Sequence, residues 1–178
     1  MRGTEYNLSW PAALRFAASS VWIYAGVIKK LLDPGFLNPS STSYVGLTVQ
    51  YLAQGPLLRP FLYAAVFPHV MLVGFLVMVG EVSFAILTML GLLNRLTGTV
   101  ALYTNLVYLL SAYWAGAEEY GVNLFLIIAD LLLVLGAQDP LSLDSLLSRK
   151  LRLLRRPLPW FVAGTSIYSA IIAYLLLS

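Results

Sequence analysis

Between Val70 and Leu93 the chain is apolar at almost every position, with one carboxylate, Glu81, near the centre of the run. A run of this length is enough for a helix to cross the hydrocarbon core of a bilayer, which takes about 20 residues. The composition of the whole chain agrees, because 60% of its residues are hydrophobic and only 11% are charged. In lipid every backbone polar group needs a partner within the protein, so we predict an all-α integral-membrane helical bundle.

Five apolar runs predict the layout of this bundle, a four-helix core followed by a C-terminal fifth transmembrane helix. The predicted helices cover residues 9–32, 69–93, 96–114, 122–138 and 159–177. Very short links join the second, third and fourth helices, which we therefore expect to be antiparallel neighbours. We expect one membrane domain over residues 1–178, with a core at 9–144, an external loop at about 33–67 that is interfacial or re-entrant in its second part, and a basic cytoplasmic linker at 145–158.

A cluster of basic residues after the fourth predicted helix sets the expected orientation. It comprises Arg149, Lys150, Arg152, Arg155 and Arg156. The positive-inside rule places such a segment in the cytoplasm, which puts the N-terminus inside and the 33–67 loop outside. The first residues carry little positive charge and no clear small-x-small cleavage motif. We therefore expect a multi-pass protein of the plasma membrane whose first span is retained.

The absence of cysteine and the presence of a single histidine, His69, restrict the redox chemistry that this chain can perform by itself. They exclude disulfides, thiolate chemistry, iron–sulfur clusters and bis-histidine haem within the chain. We expect no metal or haem here, so electron transfer would need a bound organic molecule or another subunit. The lipid bilayer is the expected environment, and no nucleic-acid partner is expected.

Two carboxylates, Glu81 and Asp130, fall in the middle of predicted helices. An isolated ionised acid is costly there, so each is expected to face the bundle interior, to be paired or to be protonated. In a functional interpretation these acids exchange protons beside a quinone headgroup, since reduction of a quinone takes up two protons and two electrons. In a structural interpretation they form interhelical hydrogen bonds, with Asn105, Tyr108 or Asn123 as candidate partners.

A stripe of residues on the first predicted helix follows helical spacing on one face, namely Arg15, Ser19, Trp22, Gly26 and Lys29. We expect this stripe to point inward. Arg15 then lies near the cytoplasmic end, where it reaches a carboxylate or the carbonyls that close another helix, unless it snorkels to the membrane surface. The same spacing turns Lys29 inward and leaves Lys30 facing lipid or water.

Three candidate substrate-binding residues, Lys29, Arg59 and His69, fall toward the external side in this topology. Together they would form an electropositive mouth that attracts an anion. Each also has a structural explanation, because a lysine near a helix C-terminus complements the helix dipole and an interfacial histidine can serve only as a hydrogen-bonding group. A lone histidine does not define a metal site, so we assign no metal ligand.

Four segments, in this order, resemble the DoxX/DoxD family. They are GVIKK on the first helix, QYLAQGP in the external loop, GEVSFAILTMLGLLNR through the second helix and GAQDPLSLD after the fourth. The segments match a Gly-x-x-Lys motif, a glutamate followed by a Gly-Leu-x-x-Arg helix end, and a terminal Ser-x-Asp. The resemblance aligns Lys29, Glu81, Arg95 and Asp144 with the family pattern. We assign Arg95 and Asp144, together with Arg15, to structural or ion-pairing roles.

The long external segment and the fifth helix look more like DoxD, the membrane subunit of archaeal thiosulfate:quinone oxidoreductase, than like a minimal four-helix DoxX. The resemblance implies a quinone-reducing subunit that works with an extracytoplasmic DoxA-like subunit, converts thiosulfate to tetrathionate and feeds a terminal oxidase of the respiratory chain. Two alternatives stay open: an accessory subunit of a terminal quinol oxidase or respiratory supercomplex, and a small transporter or chaperone-like membrane protein.

Overall fold

The computed structural model describes residues 9–136, 139–148 and 150–178, and for Arg152 and Arg155 it describes the backbone alone. All regular structure in this part of the chain is helical, which confirms the predicted all-α class. Three sequence predictions lie partly outside the described residues: the cytoplasmic N-terminus at residues 1–8, the end of the fourth helix at 137–138, and the basic side chains of Arg149, Arg152 and Arg155.

In the described part of the chain, five long helices and two short α-helices follow one another, and a 3-10 turn at Arg152–Arg155 precedes the last helix. They are α1 Trp10–Leu31, the short α2 Val45–Leu52, α3 Arg59–Leu90, α4 Asn94–Ala112, α5 Ala117–Leu135, the short α6 Leu143–Leu147 and α7 Pro157–Leu177. The five long helices are the five that the apolar runs predict. Gly91 and Gly136 end α3 and α5 in the left-handed conformation, which a glycine adopts without steric cost.

The start of α3 differs from the prediction, because this helix begins at Arg59 and not at 69. Its first part is irregular, with a π-helical turn at Leu62–Val66 and a 3-10 turn at Phe67–His69 before the regular α-helix begins at Val70. Pro68 has no N–H to donate, so it changes the hydrogen-bond pattern of the helix without ending it. The prediction of a loop as far as residue 67 is therefore wrong in its last part.

The segment between α1 and α3 folds back as an apolar cap on one end of the bundle. Its buried residues Phe36, Val45, Val49 and Ala53 form one cluster with Leu62 and Val66 from the first part of α3. We call the end of the bundle that this cap covers the loop end. The opposite end, which carries the turn between α3 and α4 and the described residues from 139 to 156, is the basic end. α5 begins at the loop end at Ala117, earlier than the predicted 122, with Glu118 and Glu119 in its first turn, where the helix dipole favours acids.

Four long helices form the core, with α1 packed on α3, α3 on α4 and α4 on α5. The fifth, α7, lies against α4, where Gly164 approaches Thr99 so closely that a Cβ would lie 2.7 Å from the threonine Cβ. This is the predicted four-helix core with an added helix. α1, α3 and α7 are each long and apolar enough to cross a membrane, whereas α4 and α5, of 19 residues each, do not meet that measure. The chain is a membrane protein.

Candidate functional site at the centre of the bundle

Glu81 lies in the middle of the regular part of α3 with only 1% of its surface exposed. One carboxylate oxygen forms an ion pair with the ammonium of Lys30 on α1. The other oxygen accepts a hydrogen bond of 2.8 Å from the hydroxyl of Tyr108 on α4. We call these three residues the Glu81 cluster. The cluster joins three helices, and it satisfies the charge of a carboxylate that would otherwise be isolated in an apolar interior.

Gly26 brings α1 against α3 at the level of this cluster. A Cβ on this residue would lie 2.7 Å from the carbonyl carbon of Glu81 and 2.8 Å from its Cβ, so only glycine permits this approach of the two helices. The second half of α1, Ile23–Leu31, is a π-helix, which has more residues per turn than an α-helix. π-Helical segments often occur at functional sites.

The π-helix also changes which lysine points inward. From Gly26 the next inward position falls four residues later, at Lys30, whose side chain is 18% exposed and bound to Glu81. Lys29 is exposed, and its ammonium lies 5.3 Å from the centre of the Tyr24 ring. The prediction that Lys29 points inward and Lys30 outward is therefore wrong. The remaining members of the predicted stripe, Arg15, Ser19, Trp22 and Gly26, are all buried.

Asp130 on α5 is also 1% exposed, and its carboxylate accepts a hydrogen bond of 2.7 Å from the side-chain amide of Asn105 on α4. Asn105 and Tyr108 lie three residues apart on α4, so one face of this helix binds both buried acids. Two of the three partners suggested by the sequence thus hold the acids. The third, Asn123, donates instead to the carbonyl of Glu119.

Arg15 lies at the basic end of α1 and is 1% exposed. Its Nε forms an ion pair of 2.6 Å with Asp139, and its Nη1 donates to the carbonyls of Thr88 and Met89 at the end of α3. Arg15 therefore reaches both kinds of partner that the sequence predicts, and it does not snorkel. Sequence reasoning missed Asp139, although this acid stands in the same GAQDPLSLD segment as Asp144.

Asp144 closes the same end of the bundle by capping α4. Its two carboxylate oxygens accept hydrogen bonds of 2.8 Å from the backbone N–H groups of Leu93 and Asn94. Leu93 has a φ of 54°, a conformation that a leucine rarely adopts and that this cap helps to hold. Arg95 forms no hydrogen bond or ion pair with Asp144, and its Nη1 donates to the carbonyl of Leu154. Both side chains therefore fasten the segment after α5 to the start of α4.

The three cations predicted to form an external mouth all lie toward the loop end, but each has its own partners. Arg59 donates to the carbonyls of Ala53 and Gln54, which follow α2. His69 lies 3.3 Å from the hydroxyl of Ser178. Within the described part of the chain no hydrogen bond or ion pair joins Arg59, His69 and Lys29 to one another. The same part of the chain contains no group of three His, Asp or Glu side chains that could hold a metal ion.

Comparison with known proteins gives one match. The chain matches, over residues 10–177, a protein family described as "TQO small subunit DoxD". No curated protein and no solved structure matches it. The family match covers almost the whole chain, including every helix that holds the Glu81 cluster, the Asn105–Asp130 pair and the Arg15–Asp139 pair. The chain therefore belongs to the DoxD family.

Proposed function

We propose that this chain is the quinone-reducing membrane subunit of a thiosulfate:quinone oxidoreductase and that the Glu81 cluster is its proton-handling site. Membership of the DoxD family supports the assignment to a thiosulfate:quinone oxidoreductase complex. The observation that carries the site assignment is a buried carboxylate bound at once by an ammonium and a phenol in the middle of a membrane bundle.

The reaction requires protons as well as electrons at a place that a lipid-soluble quinone can reach. Two thiosulfate ions each lose one electron and join through a new S–S bond as tetrathionate. The quinone gains the two electrons and two protons, and its two carbonyls become hydroxyls. A carboxylate within the bundle can take up a proton from its surroundings and then donate it to a carbonyl oxygen of the quinone. Glu81 is the first candidate, because one of its partners, Lys30, is part exposed. Asp130, which is bound to the fully buried Asn105, is the second.

The positions of the charged residues support an orientation for this reaction. We place the basic end in the cytoplasm of a cell whose plasma membrane holds the protein, because Lys150, Arg156 and the backbone of Arg152 and Arg155 lie there. The loop end, with Lys29, Arg59 and His69, then faces outward and attracts the thiosulfate dianion. An extracytoplasmic DoxA-like subunit would dock at this end, and the quinol formed would supply the terminal oxidase of a respiratory chain.

The test is thiosulfate-dependent reduction of a soluble quinone analogue by the purified complex. Glu81→Gln keeps a hydrogen-bond acceptor for Tyr108 but removes the acid, and we expect the rate to fall about 100-fold or more. Glu118→Gln makes the same change at an exposed position in the first turn of α5 and serves as the matched control. Asp130→Asn shows whether the second acid takes part. Full activity of Glu81→Gln would remove the proton role of Glu81.

The alternative of an accessory subunit rests on α7. Only Gly164 and Leu175 of this apolar helix are buried, so most of its surface is free to contact lipid or another membrane subunit. This function predicts co-purification with a haem-containing oxidase, loss of oxidase assembly on deletion of the gene, and no thiosulfate-dependent quinone reduction in any preparation.

A further inference from the structure

An apolar layer separates the Glu81 cluster from the polar residues of the basic end. It consists of Ala18, Trp22, Phe84, Ala85, Ala101, Leu126 and Ala129. The indole ring of Trp22 meets the ring of Phe84 edge to face, with centroids 5.1 Å apart. Along α3 the layer lies between Glu81 and Thr88, a distance of about 10 Å at the rise of an α-helix. The polar side chains beside this layer, Ser19, Asn105 and Asp130, are at most 1% exposed, and Asn105 is bound to Asp130, so none of them opens the layer to bulk water.

The other side of the Glu81 cluster is connected to the protein surface. The Lys30 side chain is 18% exposed, whereas that of Glu81 is 2% exposed. The Lys30 ammonium also lies next to the apolar cap at the loop end, 5.7 Å from the centre of the Phe36 ring. The remaining hydrogen-bond partner of Glu81, Tyr108, lies in the second half of α4 and is partly buried. Within the described residues no other charged side chain is bound to Glu81.

We infer that Glu81 exchanges protons with the loop end only, and that Lys30 is the positioning residue through which it does so. This inference rests on the proposed function. Protons for quinone reduction then enter from the side that carries the 33–69 segment. In the proposed orientation this is also the side on which thiosulfate gives up its electrons. Two electrons and two protons would therefore enter the membrane from one side, and turnover would move no net charge across it.

The first test uses the absence of cysteine from the chain, which makes any introduced cysteine unique. In the Lys30→Cys/Glu81→Gln variant the new thiol replaces the ammonium, and the neutral amide avoids an unpaired buried acid. Ser40→Cys in the exposed loop and Lys150→Cys at the basic end report the two sides of the membrane. The probe is a membrane-impermeant, positively charged methanethiosulfonate, applied to sealed vesicles of each orientation.

We expect the thiol at position 30 to react in the orientation in which Ser40→Cys reacts and to stay unmodified in the orientation in which Lys150→Cys reacts. Reaction from the Lys150 side would overturn the inference, and so would protection from both sides. This readout does not depend on any catalytic activity, so it can fail or succeed independently of the proposed function.

The second test uses the wild-type complex in proteoliposomes, with thiosulfate and one pH-sensitive dye outside and a second dye trapped in the lumen. Ser40→Cys labelling measures the fraction of molecules whose loop end faces outward. We expect external alkalinisation in step with quinone reduction, no change in the lumen and no membrane potential. Quinone reduction with alkalinisation of the lumen would overturn the one-sided route alone. Absence of quinone reduction would overturn the proposed function, and the labelling test would still decide the route.

Discussion

The ion pair between Lys30 and Glu81 makes a quantitative prediction about stability. In Lys30→Met the Glu81 carboxylate keeps its bond from Tyr108 but loses its counter-charge while it stays 1% exposed. Removal of one partner of a buried ion pair costs about 3–5 kcal/mol. Because Lys30 is 18% exposed and one hydrogen bond remains, we expect a loss of about 2–4 kcal/mol for this variant.

The double variant Lys30→Met/Glu81→Gln separates the ion pair from its two members. With no charge left in the Glu81 cluster, the stability of this variant should lie within about 1 kcal/mol of the wild type, because replacement of a buried ion pair by neutral groups changes stability little. Lys29→Met is the matched control, since this exposed lysine makes no ion pair with any described residue and its substitution should change stability by about 0.5 kcal/mol or less.

The assay is the loss of helical circular dichroism when the purified protein in mild detergent is titrated with sodium dodecyl sulfate. An equal loss for Lys29→Met and Lys30→Met would show that the inward lysine is misassigned. A double variant whose loss equals the sum of the single losses would show that Lys30 and Glu81 do not interact.

Two further predictions concern helix contacts. Gly26→Ala places a Cβ 2.7 Å from the backbone of Glu81, so it should destabilise the fold by about 1–3 kcal/mol in the same titration. The control is Gly121→Ala, whose Cβ meets nothing within 4 Å and which should stabilise α5 by about 0.5–1 kcal/mol. Asp144→Ala removes the acceptor for the first N–H groups of α4 and should lower stability by about 0.5–2 kcal/mol. Asp144→Asn, which keeps one acceptor oxygen, should be closer to the wild type in stability. Equal losses of stability in both variants would show that Asp144 does not stabilise the fold by capping α4.

The sequence predicts the helices and the buried acids because both have strong local signals. A long apolar run has few alternatives to a membrane helix, and an acid at its centre has to find a partner. The candidates Asn105 and Tyr108 could be selected because they are the polar residues on a neighbouring helix at the same depth. The family resemblance, carried by the motifs around Lys29, Glu81 and Asp144, is confirmed by the family match.

The choice between Lys29 and Lys30 could not be made correctly from sequence, because periodicity assumes an α-helix throughout α1. The second half of α1 is π-helical where Gly26 approaches α3, a contact between distant parts of the chain that periodicity does not contain. The start of α3 at Arg59 could not be predicted for a similar reason. Pro60 and Pro68 by themselves indicate a loop, but in the structure both lie in helical turns that pack against the apolar cap. The Arg15–Asp139 pair joins residues that only the finished bundle brings together.

Because the Lys30 ammonium lies on α1 and its partner carboxylate on α3, neither helix carries its own counter-charge during synthesis. Glu81 lies at the centre of the regular part of α3, where an unpaired charge costs about 2.5–3.5 kcal/mol, whereas Lys30 and Arg15 lie nearer the ends of α1 and the partners of Arg15 are made still later. We therefore expect α1 to stay beside the translocation channel until α3 has been made, so that the two helices enter the lipid as a pair. The ribosome would then have to complete more than half of the chain before any part of the bundle could be released into the membrane.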